Sequence, residues 1–215
     1  MTALVCQDLG RLAYGPAMEI QRERVRQVQE APEGPAFLLL VEHDPPVITT
    51  GRRPSGQHLL ATPQQLAREG IQVHATRRGG GITYHGPGQL VGYPIVRLSS
   101  IERSLRMYVH GLEDVLIRVL GRWGLSAGRA AGMTGVWVGD EKIAAIGVAV
   151  SRWVTYHGFA LNVATDLSHF ALIVPCGLAG KAVTSLSKCL GRQVSLDEVK
   201  PAVIDAVKEV FGFQT

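Results

Sequence analysis

Hydrophobic and polar positions repeat with two periods along this chain, and the changes of period mark its elements. Residues 16–30 carry a helical pattern with Arg, Glu and Gln crowded on one face. FLLLVEH at 37–43 is an almost unbroken apolar run and reads as a buried strand. VITTG at 47–51 reads as a second, set apart by the breaker Pro45-Pro46. Thr62 is placed to cap a short helix, PQQLAREG, with Pro63 at its first position. IQVHATR at 71–77 is a strand entering a glycine-rich stretch, and QLVGYPIV at 89–96 is a strand leaving it.

The longest helical pattern spans 101–123, with Leu105, Tyr108, Val109, Leu112, Val115, Leu116, Val119 and Leu120 spaced at three and four. GVWVGDEKIAAIGVAV at 135–150 predicts a hairpin turning at Gly139-Asp140, and HGFALNV at 157–163 a further strand. A last helix over 196–211 has the capping-box pair Ser195 and Glu198, and Pro201 is expected to kink it or split off its first turn. With strands dominant and helices few, the pattern predicts an α+β fold in a single domain over 1–215, with mixed and antiparallel sheets flanked by helices.

Composition narrows the class without naming a chemistry. A hydrophobic content of 46% with 19% charged residues describes a folded globular chain. No apolar run approaches a spanning helix, and the first residues lack a basic segment followed by an apolar one, so a cytoplasmic protein without membrane association is expected. Cys6, Cys176 and Cys189 form neither an even set nor a C-x-x-C pair and are expected to be thiols. The net charge of +4 favours acidic partners, but no basic block with interleaved aromatics supports nucleic acid.

The stretch TRRGGGITYHGPGQLVGYPI at 76–95 invites comparison with phosphate loops, and it fails as one. No glycine precedes Lys-Ser or Lys-Thr, G-x-G-x-x-G does not fit, and the segment runs between strands, not into a helix N-terminus. Three consecutive glycines before the β-prone Ile-Thr-Tyr-His suggest a bulged strand lining a cleft, with a flexible surface loop as the alternative. His85 alone reads as a hydrogen-bonded structural histidine or a positioning one.

Two further residues could carry chemistry. Cys176, between Pro175 and Gly177, is either an accessible nucleophile or a buried structural thiol, and as a nucleophile it needs a neighbouring base. Lys142, one of five lysines, begins the inner strand KIAAIGVAV. It is either a solvated strand-edge charge or a buried amine whose pKa falls by desolvation.

Four segments in order, RGGGITYHGPGQL, GVWVGDEKIAAIGV, HGFALNV and PCGLAGKAVTS, resemble the octanoyltransferases of lipoic acid biosynthesis, within the biotin/lipoate protein ligase-like superfamily. The resemblance covers about half the chain, residues 78–185, and implies that fold. It implies transfer of an octanoyl group from octanoyl-acyl carrier protein, through a cysteine thioester, to a lysine amine. The acceptors are lipoyl domains of 2-oxoacid dehydrogenase subunits and the glycine cleavage H protein. Carried over residue by residue, it makes Cys176 the nucleophile and Lys142 its base and acid. It places substrate against Arg78, Gly79, Gly80, Gly81, Ile82, Thr83, Tyr84 and His85, against Ala145, Ile146 and Gly147, and against Gly158, Phe159 and Ala160. No cofactor and no metal are implied.

One segment departs from the family pattern: VEHDPPV has Asp44 between His43 and the prolines, so no role is carried onto His43. The ATP-dependent lipoate and biotin ligases of the same fold are the alternative. Gly86 and Gln89 stand where lipoate ligases have Asp and Asn, and a cysteine has no task in adenylation. A non-catalytic acyl-carrier-binding protein would need neither Cys176 nor Lys142.

Overall fold

A computed structural model of the chain describes residues 2–53, 58–101, 104–174 and 182–214. Its larger sheet has seven strands in the order β1-β2-β6-β10-β9-β8-β7. These are β1 (Leu4–Leu12), β2 (Ala36–His43), β6 (Gln89–Ile95), β7 (Ala127–Ala130), β8 (Met133–Val138), β9 (Glu141–Ser151) and β10 (Val154–Asn162). Only the β1/β2 pair is parallel. The smaller sheet, β4-β3-β5, is formed by β3 (Val47–Thr50), β4 (Gln72–Ala75) and β5 (Ile82–His85).

β2 shows why its sequence is a continuous apolar run. Phe37, Leu39 and Val41 pack on one face with Ala17 and Val28 of α1 (Tyr14–Glu30). Ala36, Leu38 and Leu40 pack on the other with α3 (Leu105–Gly121) and α5 (Leu196–Phe211). Both faces of the large sheet are therefore covered, and the period-2 polar signal disappears where coverage is complete. The small sheet has its own core of Ile48, Ile82 and Tyr84 with Ile71 and Ile173.

The predicted helices and hairpin form, with three differences. The polar, half-covered β1 joins β2 through α1, so the sheet edge contains one βαβ unit inside the expected α+β plan. The strand β7 and the short helix α4 (Leu186–Leu190) carry too few apolar positions to announce themselves. Pro201 does not split α5: the Ser195–Glu198 capping box holds the first turn, and the missing amide leaves only the carbonyl of exposed Asp197 unpaired within the helix. Among the described residues no helix is long and apolar enough to cross a membrane. The second short helix, α2 (Pro63–Arg68), starts on Thr62 with a complete capping box, as its sequence predicts.

Candidate active site

The two sheets meet across a cavity of about 360 Å3. The glycine loop and β5 form one wall, β9 and β10 the other, and Leu105, Val109 and Met133 an apolar lip. This explains why the first turn of the α3 stripe is not core: Leu105 is 44% exposed.

Backbone contacts close enough to require glycine draw the walls together. The Gly79 amide donates to the Val148 carbonyl at 2.8 Å, tying the loop to β9. A Cβ at Gly147 would lie 3.0 Å from the Gly79 carbonyl oxygen, and one at Gly158 would lie 2.2 Å from that of Gly92. The loop is also clamped from behind by amides of Gly51, Arg52 and Arg53, which donate to the carbonyls of Gly81, Arg78 and Gly80 at 2.8, 3.0 and 3.0 Å.

Arg78 is buried, and its guanidinium Nη2 donates to the Thr49 carbonyl and hydroxyl at 2.7 and 2.8 Å. Of the residues expected at the substrate, all that lie in described segments line the cavity except Tyr84. Strand alternation sends Tyr84 into the small-sheet core, where its hydroxyl meets His169 Nδ1 at 2.9 Å, while Thr83 and His85 face the cavity.

The cavity floor is polar but uncharged. A directed chain of side-chain amides fixes His85. Asn162 Nδ2 donates to the Thr184 carbonyl (3.0 Å), Gln89 Nε2 donates to Asn162 Oδ1 (2.9 Å), and Gln89 Oε1 faces His85 Nδ1 at 2.7 Å. With an acceptor at Nδ1, the neutral ring carries its proton there and leaves Nε2 as an acceptor. His43 Nδ1 faces the Leu12 carbonyl at 3.1 Å, so its Nε2 accepts from the Tyr93 hydroxyl at 2.7 Å.

His157 occupies the left-handed region at φ 57°, with its amide on the buried Gln21 side chain at 2.8 Å. Burial lowers all three histidines, His43 and His157 to about 4 and His85 to about 3, with the neighbouring Arg78 charge adding to the last two. Burial holds the Tyr14 hydroxyl up at about 12. The floor therefore presents neutral hydrogen-bonding groups to whatever fills the cavity.

Lys142 lies at the start of β9, lines the cavity and is half-buried. Its Nζ stands 5.5 Å from the centre of the Trp137 ring. Its stem crosses Gly135, where a Cβ would come within 2.5 Å of Lys142 Cε. Gly135 has φ 129°, and its amide donates to buried Glu113 at 3.1 Å.

The Lys142 backbone is bonded on both sides to the segment at 182–184: its amide donates to the Ala182 carbonyl and its carbonyl accepts from Thr184, both at 3.0 Å. On the other flank, the Val174 amide donates to the His58 carbonyl at 2.7 Å. Cys176 itself lies outside the described residues. Cys6 and Cys189 are half-buried thiols packed against the main core, and neither lines the cavity.

Residues 13–208 match the lipoyl protein ligase A/B catalytic domain. An octanoyltransferase of Solibacter usitatus is 51% identical over 208 residues, covering 97% of this chain and 93% of that protein. This chain belongs to the lipoyl protein ligase A/B catalytic-domain family. An octanoyltransferase of Chloroflexus aurantiacus is 48% identical over 217 residues, covering 100% of this chain and 96% of that one. A lipoate-protein ligase A bound with ATP superposes on 99% of the chain and 86% of its own, at a TM-score of 0.77 and 18% identity. The expected biotin/lipoate protein ligase-like fold is therefore present.

Within this lipoyl protein ligase A/B fold, sequence reasoning did not reach Tyr14, Arg53 or Tyr93, which line the cavity, and assigned no role to His157 in its wall or His43 behind it. They come from α1, β2, β6, β10 and the loop after β3, far apart in sequence. Asn162, the chain's sole asparagine, is a link in the chain that orients His85.

Proposed function

We propose that residues 1–215 form one catalytic domain that moves an octanoyl group from octanoyl-acyl carrier protein to lysine amines of lipoyl domains. These are the lipoyl domains of 2-oxoacid dehydrogenase subunits and the glycine cleavage H protein. The observation that carries this reading is Lys142: it lines the cavity and is bonded through its backbone to the residues that follow the Pro-Cys-Gly segment.

In the first step Cys176 Sγ attacks the thioester carbonyl, its proton passing to Lys142. The C–S bond to the carrier's phosphopantetheine breaks, and Lys142 returns the proton to the departing thiol. In the second, the acceptor amine attacks the enzyme thioester and a C–N bond forms. The Cys176 C–S bond then breaks, and the amine's proton goes by way of Lys142 to the thiolate. Thioester exchange is nearly balanced in free energy and amide formation runs downhill, so no ATP is required. Burying most of an eight-carbon chain at about 0.8 kcal/mol per methylene supplies roughly 5 kcal/mol of anchoring.

Intact-mass measurement after incubation with octanoyl-acyl carrier protein is expected to show one added octanoyl on the wild type and none on Cys176→Ala. No adduct on the wild type, or an adduct that persists in the variant, would overturn the relay; a requirement for ATP would favour the ligase alternative. Gly135→Ala tests the placement of Lys142. The added methyl meets the lysine stem at an unfavourable φ, and single-turnover acylation is expected to slow by about tenfold or more with the far-UV circular dichroism retained. A wild-type rate would show that the stem does not depend on that gap.

A further inference from the structure

Seven of the 17 arginines of this chain pair with a carboxylate among the described residues. Arg11 pairs with Glu42, Arg118 with Glu209, Arg122 with Asp205, Arg129 with Glu113 and Asp114, and Arg192 with Glu198. Three others stand on the segments that build the glycine-loop wall of the cavity. Arg52, Arg53 and Arg77 are all exposed, and among the described residues none lies within 4.0 Å of a carboxylate.

Three like charges collected without a counter-ion raise the local positive potential and favour an anionic ligand. The backbone that carries them is held in place. The Arg52 and Arg53 amides are bonded to the glycine loop, and Arg52 Nε donates to the Arg77 carbonyl at 2.8 Å, which keeps its guanidinium beside residue 77. Arg53 itself lines the cavity, opposite an apolar lip.

Given the thioester reading above, on which this rests, we propose that Arg53 and Arg77, with Arg52, form a phosphate site at the cavity rim. This site binds the phosphodiester of the donor's phosphopantetheine arm while its acyl end occupies the cavity. The arm has one charged group between the thioester and the carrier, and guanidinium forks match its oxygens in geometry and charge. Arg78, although adjacent in sequence, is not part of the site, because its guanidinium is folded onto Thr49.

The test compares octanoyl-pantetheine, octanoyl-4′-phosphopantetheine and octanoyl-acyl carrier protein as donors to the wild type and to Arg53→Gln/Arg77→Gln, reading acylation of Cys176. Neither side chain makes a hydrogen bond among the described residues, so the pair can be changed without removing a structural contact. In the wild type the phosphate-bearing donor is expected to exceed the phosphate-free one in kcat/KM by about tenfold or more, and in the variant this ratio is expected to fall towards one.

A wild-type ratio near one, or a variant that slows both small donors alike, overturns the site. So does a loss confined to the intact carrier, which would assign the arginines to the carrier's protein surface. Failure of every donor to acylate the wild type would instead overturn the thioester reading itself.

Discussion

Replacing Lys142 with alanine is expected to reduce octanoyl transfer by a factor of about 10² to 10⁴, the usual worth of a positioned acid–base group. The size follows from where the residue sits. Its backbone holds the segment at 182–184 through two hydrogen bonds that alanine preserves, so the substitution removes the amine and leaves the scaffold. Its stem runs over Gly135, and its amine stands 5.5 Å from the centre of the Trp137 ring. Without the amine, Cys176 should behave as an ordinary thiol of pKa about 8.5. Alkylation of Cys176 by iodoacetamide, followed as a function of pH, should then lose its neutral-pH component.

Lys142→Arg separates base chemistry from charge. A guanidinium keeps the positive charge but stays protonated, so it is expected to restore part of the thiol's reactivity and little of the transfer. Wild-type alkylation and transfer rates in Lys142→Ala would remove the lysine from the mechanism.

The elements most legible in the sequence were those whose burial is one-sided or complete. β2 reads directly because both its faces are covered, and α5 because a capping box precedes its stripe. β1 was missed because it lies at the sheet edge, and its Asp8 and Arg11 find partners in Lys200 and Glu42 that no local pattern reveals. The glycine loop was read rightly as a cleft wall. Its face was not resolved: parity alone could not say that Tyr84 turns inward to Ile173 while His85 turns to the cavity.

For the site, Lys142 was legible as a charge starting an inner strand, and its pairing with Cys176 came from resemblance. Arg52 and Arg53 could not be joined to Arg77 from sequence, because they lie far from it along the chain and their charges are ordinary one at a time. Their meaning lies in the closeness that results once the loop at 51–53 folds onto the loop at 78–81.

Acid is expected to destabilise this fold well above the pH at which carboxylates titrate, and the three floor histidines are the cause. Folded, they hold pKa values of about 4, 3 and 4 for His43, His85 and His157, against about 6.5 in an unfolded chain. Below pH 6.5 the unfolded chain takes up protons that the folded one refuses, so stability is complete above about 6.5 and is lost as pH falls towards 4.

At 1.36 kcal/mol per unit, His43 alone is worth roughly 3 kcal/mol across that window, a large part of the stability of an ordinary domain. Asp8, Asp166 and Glu198, whose partners hold them low, act below it, so the two effects separate on the pH axis.

Urea unfolding at pH 7.5, 6, 5 and 4.5 should show the midpoint constant at first and then falling steadily. His157→Asn removes one titrating ring at a left-handed position that asparagine tolerates, and should make the decline less steep. A midpoint flat from pH 7.5 to 4.5 would mean that the three floor histidines accept charge, and that they are not the neutral groups described above.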